Sequence, residues 1–273
     1  MAEFYNRTRK SQSIPLSLLK RGHIAGLPLY YLLQGSDLAR EGFQNSGSYS
    51  FADHIYRNVA SGRNALGRWL DARLLAMPAV RSLRNRFLAA RDELAHFLCQ
   101  SSGVELSILS VPCGIPRDLV EGAAIARHLG ADLRSVTFHG LDLDPEVLCK
   151  AARFAEENGL KNFRIHEGDA LCGSTYPAAA DFISSTGLAE FLDDEKLGIL
   201  YSRAFATLRP RGVFLSSGMQ RRAISEYLLK IAELRVHYRS AERLAGLARA
   251  AGFQEVSAHN DDLGIQSILV ARK

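Results

Sequence analysis

The chain has 273 residues, 47% of them hydrophobic and 23% charged, and a net charge of +5. That length suits one sizeable α/β domain with an appendage and is short for two independent domains, while the composition is ordinary for a globular protein. The charge is uneven: residues 1–100 hold 14 basic against 7 acidic side chains, and residues 101–273 hold 20 against 22.

Along the chain, Met1 to Lys20 is polar and basic without a small-residue cleavage site, so no secretory leader is expected. The apolar run IAGLPLYYLL, Ile24 to Leu33, is about half a bilayer span and contains Pro28. It reads as a buried helix or a substrate-facing segment, not as a membrane crossing. Gly42 to Asn64 is rich in Gly, Ser and Asn, which makes loop its default assignment, although it also gathers Tyr, Phe, His and Arg. Trp69, Leu70, Leu74 and Leu75 then share a helical face that Pro78 interrupts, and Leu83, Phe87, Leu88, Leu94, Phe97 and Leu98 recur at helical spacing beyond it. Residues 1–100 are therefore expected to form a mainly helical cap or substrate region. Their basic charge suits either a solvated arginine-rich face or a surface for acidic ligands. No basic run is dense or interleaved with aromatic platforms, so nucleic acid is not an expected partner.

From Val104 the texture changes to strand–helix alternation. VELSILSV reads as a buried strand, PRDLVEGAAIARHLG as a helix stopping at Gly130, and SVTFHGLDLD as a second strand. The next helix has Asp144 as N-cap, Pro145 at its first position and Gly159 as its stop. NFRIHEGDA, ADFISSTG and GVFLSSG follow as strands, with helices from about Asp194 and Ser240, and FQEVSAHN and IQSILVARK close the chain. Such alternation predicts a doubly wound, mostly parallel seven-stranded sheet over residues 101–273, with the last two strands able to pair antiparallel at an edge.

The chemistry is concentrated where strands end. Ligands of open α/β sheets sit at the carboxyl ends of the strands. In ILSVPCGIPRD, Ile108 to Asp118, Pro112 and Pro116 each remove an N–H that a pyrophosphate would want. The bend Cys113-Gly114-Ile115 still admits a ligand without phosphate, such as S-adenosylmethionine (SAM). Asp142, ending the second strand, is placed to accept from both ribose hydroxyls, with Leu143 beside it. After the third strand, Asp169 could accept from the adenine amino group while Ala170 and Leu171 offer apolar contact.

On these pieces, ILSVPCGIP, GLDLDPEVL, GDAL, DFISSTGLAEFLDDEK and LRPRGVFLSSG, the chain from about residue 104 resembles the class I, Rossmann-like SAM-dependent methyltransferases. Over about Tyr56 to Lys273 it is similar to a group of bacterial proteins classed by sequence as methyltransferases, on IYRN, GRNALGRWLDARLL, STGLAEFL, YRSAERLAGLARAAGF and DDLGI. The resemblance implies a Rossmann-like fold, SAM as cofactor and methylation as the activity. Ser110 stands where the first strand commonly carries an acid, and Pro112 and Pro116 replace glycines. Contacts to the methionine end are therefore expected from the N-terminal segment or from Ser185-Thr186-Gly187.

His54, Tyr56 and Glu190 are candidates for a general base, and Arg57 and Arg63 for holding a cofactor carboxylate or substrate anion. His139 and His166 read as packing or rim residues. The apolar GLPLYYLL and aromatic SYSFADHIY favour a small-molecule or lipid-like acceptor. A SAM-binding or interaction protein without turnover is the alternative; a nicotinamide oxidoreductase is disfavoured because the glycine triplet and a YxxxK pair are missing. Four widely spaced cysteines without a CxxC pair argue for reduced thiols, a cytoplasmic location and no structural zinc.

Overall fold

The computed structural model describes residues 15, 19, 22, 24, 26–45, 49–221 and 236–273; most of the polar stretch 1–20 lies outside the described residues. The described residues fall into two compact units, those up to Arg84, and 85–221 with 236–273.

The larger unit is built on a seven-stranded sheet: β1 (Leu106–Ser110), β2 (Val136–Asp142), β3 (Phe163–Glu167), β4 (Ala180–Ser185), β5 (Leu208–Met219), β6 (Glu255–Asn260) and β7 (Gln266–Arg272). The order is β3-β2-β1-β4-β5-β7-β6. The first five are mutually parallel, and β7 runs antiparallel to both β5 and β6. The expected late antiparallel pair is present, with the last strand inserted inside its predecessor. Every residue of β1 is buried, as a central parallel strand covered on both faces requires.

Helices cover the two faces according to side-chain alternation. Val213 and Leu215 of β5 join Ile108, Phe138 and Phe182 in one apolar cluster. The same cluster takes in Leu94 and Leu98 from α5 (Pro78–Gln100), Leu119 and Ala123 from α6 (Arg117–His128), and Ala155 from α7 (Pro145–Glu157). Most of α5 thus belongs to this unit, because its apolar stripe is part of the sheet's core. Phe214 points the other way and meets Tyr201 of α8 (Asp194–Thr207) edge to face, centroids 5.1 Å apart. Gly218, of the same parity, lies under Leu244 of α9 (Ala241–Ala250). Caps read from sequence appear as expected: Asp144 accepts from the amides of Glu146 and Val147 ahead of α7, and Gly159 leaves it at φ +83°.

The smaller unit holds α1 (Gly26–Leu33), α2 (Asp37–Asn45), α3 (Tyr49–Arg57) and α4 (Ala65–Leu75). The loop expected over Gly42 to Asn64 is instead largely helix, and tertiary contacts explain why. Buried Asp71 of α4 accepts from the Ser36 hydroxyl, from the Leu38 amide at 3.2 Å and from the Ser61 amide at 2.9 Å. Leu38, Ile55 and Leu75 close a small core beside it. The glycines allow close approach: a Cβ on Gly67 would stand 2.1 Å from the Gly35 carbonyl oxygen. Among the described residues no helix is long and apolar enough to cross a membrane.

His139 of β2 and His166 of β3 face each other, Nδ1 to Nε2 at 2.8 Å. Such a bond needs one N–H donor and one bare nitrogen, so the two rings cannot both be protonated. Burial, with the neighbouring His166 and Arg164, pushes His139 down to about 4, and burial with Arg164 lowers His166. Between pH about 6.5 and about 4 the unfolded chain therefore binds more protons at these sites than the folded one, and stability falls as pH drops through that window. Urea unfolding should show the wild type losing more stability between pH 7 and 4.5 than His139→Gln does; equal losses would contradict the pairing.

Candidate active site

The parallel register of β3, β2, β1 and β4 puts their carboxyl ends on one edge of the sheet. Ser110, Asp142, Glu167 and Ser185 are the last residues of these strands. Past β1 the chain bends at Gly114, φ +50°, a left-handed conformation that glycine adopts without steric cost. The bend leans onto the tip of β2: the Cys113 amide donates to the Leu141 carbonyl at 2.8 Å, and the Gly114 amide to Asp142 Oδ2 at 3.0 Å. Gly140 makes room for it, since a Cβ there would meet Cys113 Sγ at 2.5 Å. Asp142 Oδ1 accepts from the Asp144 amide at 3.3 Å, and the Asp142 carbonyl from the Gly168 amide at 2.9 Å. Gly114, Asp142 and the turn carrying Asp169 are thus stitched together by backbone donors.

The donor inventory of the bend excludes a phosphate cradle. Between positions 112 and 117, two residues are prolines, and the amides of Cys113, Gly114 and Arg117 donate to Leu141, Asp142 and Ile115. Ile115 alone supplies a further amide, where a pyrophosphate needs several.

The turn after β3 is held rigidly. Asp169 Oδ1 accepts from the Leu171 amide at 2.9 Å, and the Tyr176 hydroxyl donates to the Ala170 carbonyl at 2.8 Å. Ala170 is buried and Leu143, ahead of the Asp144 cap, is half-buried. Cys172, next in line, is exposed, and the Ser174 hydroxyl near its sulfur lowers its thiol pKa.

On the β4 side, the Ser184 hydroxyl donates to Asp118 Oδ2 at 2.8 Å. Asp118, in the first turn of α6, is half-buried, and desolvation raises its carboxyl pKa. Ser185 is buried with no hydrogen-bond partner for its hydroxyl among the described residues. Thr186 and Gly187 are half-buried; Gly187, at φ +84°, donates its amide to Ser217 Oγ at 3.3 Å. Glu190 is 3% exposed and forms a buried ion pair through Oε1 with Arg86 of α5, while its Oε2 has no partner among the described residues. Arg86 is absent from the sequence-based candidates. Its signal was its position three after Leu83 and four before Ala90, on the inward stripe of a helix whose other arginines read as surface.

The remaining candidates lie in the smaller unit. His54 is buried, with Nδ1 bonded to Glu41 at 2.9 Å and Nε2 to Ser61 Oγ at 3.3 Å, Asp71 being 3.7 Å away. The Glu41 hydrogen bond raises its pKa. Tyr56 packs against the Leu38, Ile55 and Leu75 core. Arg57 pairs with Asp53 at 3.1 Å, and Arg63 is exposed. A groove of about 410 Å³ lies at the opposite, amino-terminal edge of the sheet, between Arg127, Arg134 and Lys161. It is remote from every strand-end candidate.

The model of a family described as "Putative methyltransferase" matches residues 31–273. Among solved structures, a possible exported protein from Bordetella parapertussis aligns at TM-score 0.74 and 21% identity, covering 100% of this chain and 96% of that one. The S-adenosylmethionine-dependent methyltransferase SibL aligns at 0.57 and 15%, covering 92% and 76%. The magnesium protoporphyrin IX methyltransferase of Synechocystis, solved with bound S-adenosylhomocysteine (SAH), aligns at 0.55 and 14%, covering 81% and 93%. At these identities the likeness is one of fold. No curated protein matches the sequence.

Thiol reactivity checks the packing of the site. Iodoacetamide at neutral pH should modify exposed Cys172 well ahead of Cys113, whose thiol is enclosed and pushed well up by burial. Comparable rates for the two, followed by mass spectrometry, would show that the bend after β1 is not packed onto β2.

Proposed function

The chain belongs to this methyltransferase family, and from that premise we propose that it transfers a methyl group from SAM to a small-molecule or lipid-like acceptor. The observation that carries the reading is the hydrogen bond from the Gly114 amide to Asp142, which fixes a carboxylate beside a sharp bend at adjacent strand tips. Asp142 is assigned the ribose hydroxyls, Asp169 with Ala170, Leu171 and Leu143 the adenine, and the bend from Ser110 through Pro112 and Cys113 to Ile115 the underside of the nucleoside. Ser185, Thr186 and Gly187 are assigned the far end of the cofactor. The fit is supported by two enclosed polar atoms, Ser185 Oγ and Glu190 Oε2, that lack partners among the described residues. Each such atom costs about 1–3 kcal/mol unless a ligand or water supplies the bond.

SAM supplies an electrophilic methyl group on a positively charged sulfur. The protein's task is to align the acceptor with that methyl group and to exclude water. His54, with both ring nitrogens engaged, is assigned to holding the smaller unit together, and an acceptor that is already nucleophilic needs no base. Acceptor choice is assigned to residues 1–100, with Tyr56 and the cations Arg57 and Arg63 as its candidate contacts. Leu29, Tyr31 and Leu32 are exposed on α1, which supports an apolar acceptor. Four free cysteines support a cytoplasmic location. The proline-bearing first loop keeps a second reading in view, a SAM-binding protein without turnover; formation of a methylated product, about 14 Da heavier by covalent arithmetic, separates the two.

Calorimetry tests the pocket directly. The wild type should bind SAH and not NADH. Asp142→Asn keeps the size but removes the charge and one of the two acceptor oxygens, and should weaken SAH about 10- to 150-fold, the equivalent of about 1.5–3 kcal/mol for a charge-assisted hydrogen bond. Unchanged affinity in a folded variant would refute the assignment.

A further inference from the structure

The sheet order assigns the cofactor's two ends to different strands. With the ribose at the tip of β2, the neighbouring tips in one direction are β1 and then β4. Strands lie about 4.8 Å apart, so β4 ends about 10 Å from β2, within reach of a methionine chain extending from the ribose. Ser110, ending β1, cannot supply a charge to the α-ammonium. Two acids lie on the β4 side, Asp118 half-buried and Glu190 buried, and their bonding separates them. Asp118 is spent: its carboxylate accepts from Ser184 and sits in the first turn of α6. Glu190 is not: Oε1 pairs with Arg86, while Oε2 is buried with no partner among the described residues, as is the Ser185 hydroxyl on the strand leading to it.

We propose that Glu190, oriented by Arg86, receives the α-ammonium of the cofactor's methionine moiety, so that the loop after β4 provides the charge that Ser110 lacks. The α-ammonium of an amino acid is a cationic donor, and Glu190 offers it the opposite charge in a charge-assisted hydrogen bond. A second cationic donor satisfies the carboxylate oxygen that the Arg86 guanidinium leaves over. Arg86 is a positioning residue in this arrangement, and Glu190 touches the cofactor. The inference rests on the pocket being a SAM site.

Two ligands isolate the methionine end: SAH carries the α-amino acid, and 5′-methylthioadenosine has the same adenosyl group and sulfur without it. Calorimetry on the full chain should show the wild type binding SAH at least about 10-fold more tightly than methylthioadenosine. Glu190→Gln should lose about 10-fold or more in SAH affinity while methylthioadenosine affinity stays constant. Arg86→Lys, which keeps the charge but not the fork, should show a smaller loss with the same selectivity, and it answers the question if Glu190→Gln fails to fold. Unchanged SAH binding in the variants, or equal weakening of both ligands, overturns the proposal. Binding of neither ligand to the wild type would instead bring down the SAM site itself.

Discussion

A buried carboxylate that accepts backbone hydrogen bonds organises this protein's carboxyl edge. Asp142 is 3% exposed, and its two oxygens take the amides of Gly114 and Asp144 while its carbonyl takes that of Gly168. An enclosed charge without such donors would be severely destabilising. Meeting that requirement pulls the bend after β1, the start of α7 and the turn after β3 to one point. The geometry of the proposed nucleoside pocket is therefore a consequence of solvating one acid with main chain.

The β4 side behaves in the opposite way. Around Asp142 the described polar groups satisfy one another, whereas at Ser185 and Glu190 enclosed atoms remain without partners. Such atoms also occur elsewhere among the described residues, at Ser82, Ser107 and Gln266, so these two point to a ligand through their place at and beyond the end of β4. The contrast suits a ligand whose sugar end meets a prebuilt acceptor and whose charged end completes an unfinished one. Prolines in the first loop are compatible with this division, because neither half depends on a cradle of amides for phosphate.

The larger unit was legible because its local and global signals agree. Strand–helix alternation, the Asp144-Pro145 start of α7 and the glycine stops at 130 and 159 each point to the element that forms. The insertion of β7 between β5 and β6 was not readable, since pairing order among short antiparallel strands is set by side chains distant in sequence. The helices of the smaller unit were hidden by composition: Gly, Ser and Asn read as loop, but Gly62 and Gly67 serve close backbone approach and Ser36 and Ser61 serve Asp71. Within the site, Gly114, Asp142 and Asp169 showed themselves by their places at strand ends. Arg86 did not, because its partner Glu190 is 104 residues away and nothing local pairs them.

The proposed function rests on one nucleoside site over the tips of β1, β2 and β3. Titrating ¹⁵N-labelled protein with SAH and following backbone amides tests it most directly. The largest shifts are expected at Gly114, Asp144 and Gly168, whose N–H groups report on Asp142. Shifts confined to the opposite edge, around Arg127, Gly159 and Asn162, or no shifts at saturating ligand, would contradict it.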